Sequence, residues 1–328
     1  MPSGHLTSQE REIISLLHHQ NYSQTQIAQR LGRHKGTISR ELKRNATCGF
    51  YLPQQAQQKA VQRRKDAKEP WKMKHPPLQN YVLKKLQRKW SPEAIAGRLQ
   101  RDFLDAQQLH VCAGTIYNWL ETDRQAGGKL WRLLPWQQGR VYRKRRKTHH
   151  QNQQGRIIGR VGIQERPAVV EQRARYGDWE GDTLHGKGAC SLLTSVERKS
   201  RFLIAVKVED RTADTMQTAM KKVFAKVPRR LKETITLDNG KEFAKCPQLA
   251  APLKMAVYYA DPYAAWQRGA NENANGLLRK YFPKGTDFRQ LSDREINRAV
   301  KEINQRPRKC LDLQTPLEVF QQTRQQPP

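Results

Sequence analysis

The sequence predicts a multidomain chain, all-α at its N-terminus and α/β beyond. Three observations carry that expectation. Its 328 residues exceed one ordinary domain of about 100–200 residues and suffice for a sizeable buried core. Apolar residues recur at helical spacing in the first part, whereas short continuous apolar runs, the mark of buried strands, begin only after residue 176. The third is charge: 61 Lys and Arg stand against 30 Asp and Glu, a net +31. Such a surplus argues for a polyanionic partner, nucleic acid first, and against a plain metabolic enzyme.

Residues 7–45 read as three short helices. Thr7 with Glu10 and Ser23 with Gln26 have the spacing of capping boxes, and Ile13, Ile14 and Leu17 form an apolar stripe. The stretch 53–76, rich in Gln, Lys and Arg, reads as a charged helix or linker. Ser91-Pro92 opens another helix through Ile95, Ala96 and Leu99, because proline suits the first helical position. A further helix holds Ile116, Tyr117, Trp119 and Leu120. The basic run RVYRKRRKTHH (140–150) has no apolar period and reads as a linker lying on phosphates, with Arg143, Lys144 and Arg145 among its contacts. Strands are expected at 202–208, 234–238 and 255–261. Met216, Met220, Val223, Phe224 and Val227 mark a helix, and Ser292 with Glu295 caps another through Ile296, Val300 and Ile303. Strands mixed with helices make this part α/β. The boundaries expected are 1–50, 51–139, 140–175 and 176–328.

No run of about 18 apolar residues exists, and MPSGHLTSQE lacks a signal-peptide pattern, so the chain is expected to stay inside the cell. Five scattered cysteines with no CxxC pair suit a reducing compartment and offer no zinc site.

Within 24–43 the spacing is that of a helix-turn-helix. Ala28 is small where helices cross, Gly32 suits the turn, and Ile38 and Leu42 anchor the second helix. Facing outward would be Arg33, His34, Lys35, Thr37, Ser39 and Arg40, residue types that reach base edges and phosphates in the major groove. A helical hairpin with a solvated basic face would have the same pattern; the cationic surplus of this half favours DNA. The segment WSPEAIAGRL…AGTIYNWL (90–120) resembles a second helix-turn-helix with a longer insertion. It reads as a DNA reader or a packing domain, with Ile95, Ile116, Tyr117 and Trp119 in its core.

Cutting or joining a phosphodiester without a covalent intermediate usually needs two divalent metals about 4 Å apart, held by converging carboxylates. Three segments qualify. In YGDWEGDTLHG (176–186), Asp178, Glu180 and Asp182 share a strand face by alternation, which does not choose among them. In TLDNGKEF (236–243), Asp238 ends an apolar strand. In WQRGANENANGLLRK (266–280), Glu272 lies near a helix start, with Asn275, Gly276 and Arg279 following on the same side. Gly276 would let DNA approach and Arg279 would pair with a phosphate; His185 reads as a surface or structural histidine.

The motifs GDWEGDT, LDNGKEF and WQRGANENANGLLRKYFPKG closely resemble the insertion-sequence-thirty family of bacterial DDE transposases. So do IAQRLGRHKGTISREL, WSPEAIAGRL, ERPAVVEQRARYGDWEGD and NQRPRK…TPLEVF, in order over nearly the whole chain. The resemblance implies a core similar to ribonuclease H and retroviral integrase, with a catalytic, metal-binding triad of Asp182, Asp238 and Glu272. Asp182 is preferred over Asp178 by its WxxD context. It further implies Mg²⁺ or Mn²⁺, two ions per site, with water attack at the element's end and then direct transesterification by the freed 3′-OH. The partners implied are double-stranded DNA, as element inverted repeats and target, and a second copy in a dimer or larger synaptic complex, in the bacterial cytoplasm at the nucleoid. Ala264-Ala265 departs from the family's Ser-containing turn. Two other readings fit parts of the pattern: a helix-turn-helix transcriptional regulator, and a nuclease of the same fold without strand transfer.

Overall fold

The computed structural model describes residues 4–46, 50–66, 71–134, 157–262 and 264–325. They belong to two compact units, Met1–Lys74 and His75–Pro328.

The first unit is helical: α1 (Ser8–His19), α2 (Gln24–Leu31), α3 (Lys35–Asn45) and α4 (Pro53–Asp66). Both capping boxes form, so the free N–H groups at the starts of α1 and α2 are satisfied by side chains. Gly32 ends α2 in the left-handed region at φ +61°, a conformation that costs any other residue a Cβ clash. The core is Ile14, Leu17, Ile27, Ala28, Ile38 and Leu42, completed by Tyr51 and Ala56. Of the two readings of 53–76, the helix holds over α4, and it is not a free linker. It buries Ala56 completely against α1 and α3, a seat so small that periodicity barely registers it.

The second unit opens with α5 (Pro76–Gln87), α6 (Pro92–Asp102) and α7 (Ala113–Gln125). Ile95 and Ile116 are buried there, and Trp119 is half-buried. Tyr117 departs from expectation: it is exposed, its hydroxyl donating to Glu93 Oε1 at 2.9 Å. One flank of α6 is covered by the C-terminal segment. Gly97 lies against Leu313, where a Cβ would come within 2.3 Å. Arg98 reaches both oxygens of Glu318 at 2.8 and 2.6 Å, and holds that carboxyl down at about 2. For this flank of α6, the packing reading is the one the structure supports.

Five strands follow: β1 (Asp178–His185), β2 (Ser191–Glu197), β3 (Leu203–Val208), β4 (Thr234–Leu237) and β5 (Ala256–Tyr259). Their order is β3-β2-β1-β4-β5. The β1–β2 and β2–β3 pairs are antiparallel, whereas β1–β4 and β4–β5 are parallel. The helices are α8 (Ala168–Glu171), α9 (Ala213–Ala225), α10 (Ala250–Leu253), α11 (Gly269–Leu278), α12 (Asp293–Asn304) and α13 (Pro316–Gln325). One sheet face packs Trp179, Leu193 and Ile235 against Met216, Met220 and Phe224 of α9. The other packs Leu184, Leu192 and Val196 against α11 and α12. Gly181 is glycine for a local reason: a Cβ there would lie 2.5 Å from Leu237. β2 escapes the apolar-run criterion because Ser191, Thr194 and Ser195 interrupt SLLTSVE, yet every residue of it is buried.

Candidate active site

Asp178, Glu180 and Asp182 leave β1 on one face, and their neighbours separate them. Asp178 is fully buried; Arg175 approaches it at 3.1 and 3.2 Å, and Thr234 Oγ1 donates to it at 2.8 Å. Glu180 is also buried. It pairs with Arg198 at 3.2 Å and accepts the backbone N–H of Asn271 at 2.9 Å. Both carboxylates are thus committed to holding the fold.

Asp182 has different company. Parallel pairing sets Asp178 against Thr234 and Glu180 against Thr236, so two residues further along each strand come Asp182 and Asp238. A single guanidinium lies between them: Arg268 Nη1 is 3.3 Å from Asp182 and Nη2 is 3.6 Å from Asp238. Asp182 Oδ1 accepts from the Thr183 N–H at 2.8 Å, and Oδ2 from Asn275 Nδ2 at 3.0 Å. Asp238 Oδ1 accepts from the Gly240 N–H at 2.9 Å. Burial pushes the Asp182 carboxyl up from its ordinary range; Arg268 opposes this and the charge of Asp238 adds to it.

Glu272 sits exposed in the first turn of α11. That helix is fixed to the sheet by its neighbour Asn271, which is completely buried. Its side-chain nitrogen donates to the carbonyls of Glu180 (2.9 Å) and Thr194 (3.3 Å), and its oxygen accepts from Thr194 Oγ1 at 3.0 Å. Glu272 precedes Asn275 by one turn and so lies on the side of α11 that reaches Asp182. Two carboxylates converging on one cation, with only hard oxygen donors, fit a divalent ion of the Mg²⁺ kind. Among the described residues, no three His, Cys, Asp or Glu side chains stand close enough to form a complete metal cage.

Arg279 is half-buried, and its Nη2 donates to the His185 carbonyl at 2.6 Å. Gly276 is open, with nothing within 4 Å of where a Cβ would be. Arg268 and Asn271 are the residues that sequence reasoning passed over. Both lie inside the WQRGANENANG motif, but nothing in spacing marks a long-range partner.

In the first unit, Lys35 and Arg40 are exposed, while Thr37 and Ser39 are partly covered. His34 is the N-cap of α3, its Nδ1 accepting from the Gly36 N–H at 3.1 Å. Arg33 departs from the outward placement expected of it. It precedes α3 and turns back onto Glu10 at 2.7 Å and onto the Gly4 carbonyl at 2.9 Å, because the capping box of α1 presents a carboxylate there. This contact lowers the Glu10 carboxyl. Arg143, Lys144 and Arg145 lie outside the described residues.

Comparison with known proteins agrees with this layout. Residues 4–45 match a helix-turn-helix domain and residues 172–265 an integrase core domain. The transposase for insertion sequence element IS4351 of Bacteroides fragilis is 39% identical, over 98% of this chain and 96% of its own. Transposase InsI for IS30A of Escherichia coli K12 is 33% identical, over 97% and 84%. The chain belongs to the IS30 family of transposases. Its relative for IS1086 in Cupriavidus metallidurans is 36% identical over 97% of this chain and 94% of that one. The catalytic core domain of BIV integrase is 17% identical at a TM-score of 0.38, covering 46% of this chain and 97% of that one. As a family member the chain is a DDE-type enzyme, with a helix-turn-helix domain and an integrase core domain. Enzymes with this core generally work with divalent metal ions. No helix among the described residues is long and apolar enough to cross a membrane.

Proposed function

We propose that this transposase binds the terminal inverted repeats of its element, cleaves a strand at the element's end, and joins the freed end to target DNA. Asp182, Asp238 and Glu272 are the catalytic carboxylates in this reading. They hold Mg²⁺ or Mn²⁺, two ions per site. The observation that carries it is the meeting of Asp182 and Asp238 from adjacent parallel strands on the Arg268 guanidinium.

Bound there, divalent ions would supply Lewis-acid activation of the attacking oxygen and charge stabilisation for the departing one. The chain's own contribution is positioning. The Thr183 N–H and Asn275 orient Asp182, the Gly240 N–H orients Asp238, and Asn271 fixes the helix that carries Glu272. Water attacks the phosphorus at the element's end and the 3′ oxygen leaves. The resulting 3′-OH attacks a second phosphodiester, displacing another 3′ oxygen, so one P–O bond forms for each that breaks and no ATP is consumed. Lys35, Thr37, Ser39 and Arg40, with His34 at the helix start, face DNA, and Arg279 and the 143–145 basic run take phosphates. Two ends must meet, so the working form is a homodimer or larger complex, in the bacterial cytoplasm on nucleoid DNA.

Incubating the purified protein with labelled element ends and Mg²⁺ tests this. Nicked and joined products are expected. Nicks that never lead to joined strands would make it a nuclease, and binding with neither product would make it a regulator.

A further inference from the structure

The helix-turn-helix match ends at residue 45, yet α4 (Pro53–Asp66) is part of the same compact unit. Between α3 and α4 runs a groove of about 380 Å³. Thr37, Arg40 and Arg44 line one wall, at positions i, i+3 and i+7 along a single face of α3. Arg63 and Arg64 line the other. All four of these arginines are exposed, and none pairs with a carboxylate among the described residues.

Among the described residues the one acid on the groove, Glu41, is already committed. It accepts from Arg11 at 2.8 and 3.3 Å and from the Tyr51 hydroxyl at 3.0 Å. The arginines are steered by their own helices instead. Arg40 Nε donates to the Gly36 carbonyl at 2.9 Å, and Arg64 Nε to the Ala60 carbonyl at 3.2 Å. Arg63 reaches across to Asn45 Oδ1 at 2.7 Å and so ties the two walls together. Holding Nε on a carbonyl leaves the two-pronged end of Arg40 and of Arg64 available to a ligand. Four cations gathered with no carboxylate partner among the described residues repel one another, and an anion relieves that repulsion. The guanidinium fork matches a phosphate in a bidentate manner.

We propose that the α3–α4 groove seats successive backbone phosphates of one DNA strand, which makes α4 a second, sequence-independent part of the DNA-binding unit. A free phosphate would engage one fork only; two walls carrying two arginines each suit a run of phosphates. This rests on the DNA-binding reading above and deepens it, assigning backbone contacts to a helix that the family match does not include.

The test uses the full chain and duplexes of two kinds, element end and random sequence, titrated across a range of salt. Arg44→Gln/Arg64→Gln removes two forks that hold no other element in place, and glutamine keeps helix propensity. Affinity should fall alike on both duplexes, and the log–log salt slope should become shallower by about 0.9 for each arginine removed. Arg44→Lys/Arg64→Lys should keep the slope of the unaltered protein, since an ammonium displaces the same counter-ions. Lys221→Ala/Lys226→Ala, at exposed positions on and just past α9, should also leave it unchanged. An unaltered slope in the glutamine variant, an equal drop in the α9 variant, or a loss confined to the element end would each overturn the proposal. If the unaltered protein binds neither duplex, the DNA-binding reading itself fails instead.

Discussion

Arginine does opposite work around β1 and along the α3–α4 groove. Around β1 the guanidiniums are locked on carboxylates: Arg175 on Asp178, Arg198 on Glu180, Arg268 on Asp182 and Asp238. Along α3 and α4, Arg40, Arg44, Arg63 and Arg64 stand in solvent; among the described residues the side chains of Arg40, Arg63 and Arg64 donate to helix carbonyls or the Asn45 amide and to no carboxylate. The same residue type is a fixed internal counter-charge in one place and an unsatisfied cation awaiting an anion in the other. Net charge reports only the second group. The first is invisible to it, because each of those cations is matched.

This contrast is best broken at the carboxylates themselves. Glu272→Gln, Asp182→Asn and Asp238→Asn should each cut strand cleavage and joining by roughly a thousandfold or more, while leaving binding to element ends intact; combining them should add little. Asp178→Asn should leave chemistry standing and lower the melting temperature, because it loosens the Arg175 pair and not the site. Gel assays of cleavage in Mg²⁺ and thermal melts separate the two outcomes. An active Glu272→Gln protein, or an Asp178→Asn protein that is well folded and as dead as Asp182→Asn, would reassign the triad.

The locked class predicts a stability effect next. Arg198 is 2% exposed, and Arg198→Met leaves Glu180 buried without its cation, a change that typically costs about 3–5 kcal/mol. Arg198→Met/Glu180→Leu should recover most of that loss in urea denaturation. A single variant as stable as the unaltered protein would mean the pair is not a structural lock.

For the exposed class the effect is smaller and lies in recognition. Arg40→Ala should weaken binding to element end and random DNA alike, as its place in the groove requires; a loss of discrimination of about 1–3 kcal/mol would instead put it on a base edge. Neutralising Arg143, Lys144 and Arg145 together should weaken both alike. Competition binding measures both variants on the two duplexes.

The smallest effect is acid sensitivity at α6. The Glu318 carboxyl sits at about 2 in the fold because Arg98 holds it, against an ordinary value of 4.5. A carboxyl lowered by folding stabilises fully above its unfolded value and loses that contribution as pH falls from there toward 2. Glu318→Gln should therefore narrow the stability difference between neutral pH and pH 3. Parallel denaturation curves at the two pH values would show it, and an unchanged difference would remove the role given to this pair.

Much of the fold is legible in the residues. The capping pairs Thr7–Glu10, Ser23–Gln26 and Ser292–Glu295 mark helix starts that form. The α9 stripe and the apolar runs of β3, β4 and β5 are plain. Elements held by small or polar residues are not. β2 hides behind its serines and threonine, and α4 enters the first core through Ala56. The site shows the same limit. Alternation put Asp178, Glu180 and Asp182 on one face, but what distinguishes them is Thr234, Asn271, Arg268 and Asn275, contributed by segments 56 or more residues away. Local periodicity has no access to such partners. Arg33 teaches the converse: a cation at the right place in a motif can be claimed by a nearby acid first.

The sheet order has a consequence for how the molecule comes into being during synthesis. β4 lies beside β1, but β2, β3 and α9 separate them along the chain. The core of the Met1–Lys74 unit is built from residues between Leu6 and Ala56, all early in the chain. A ribosome therefore completes a basic reading head well before Asp238 can take its place next to Asp182, and before the helix bearing Glu272 exists. A product cut short before β4 would carry the head without the blade. On the function proposed above, it would bind element ends without cutting them, and so act as a brake on the full-length protein.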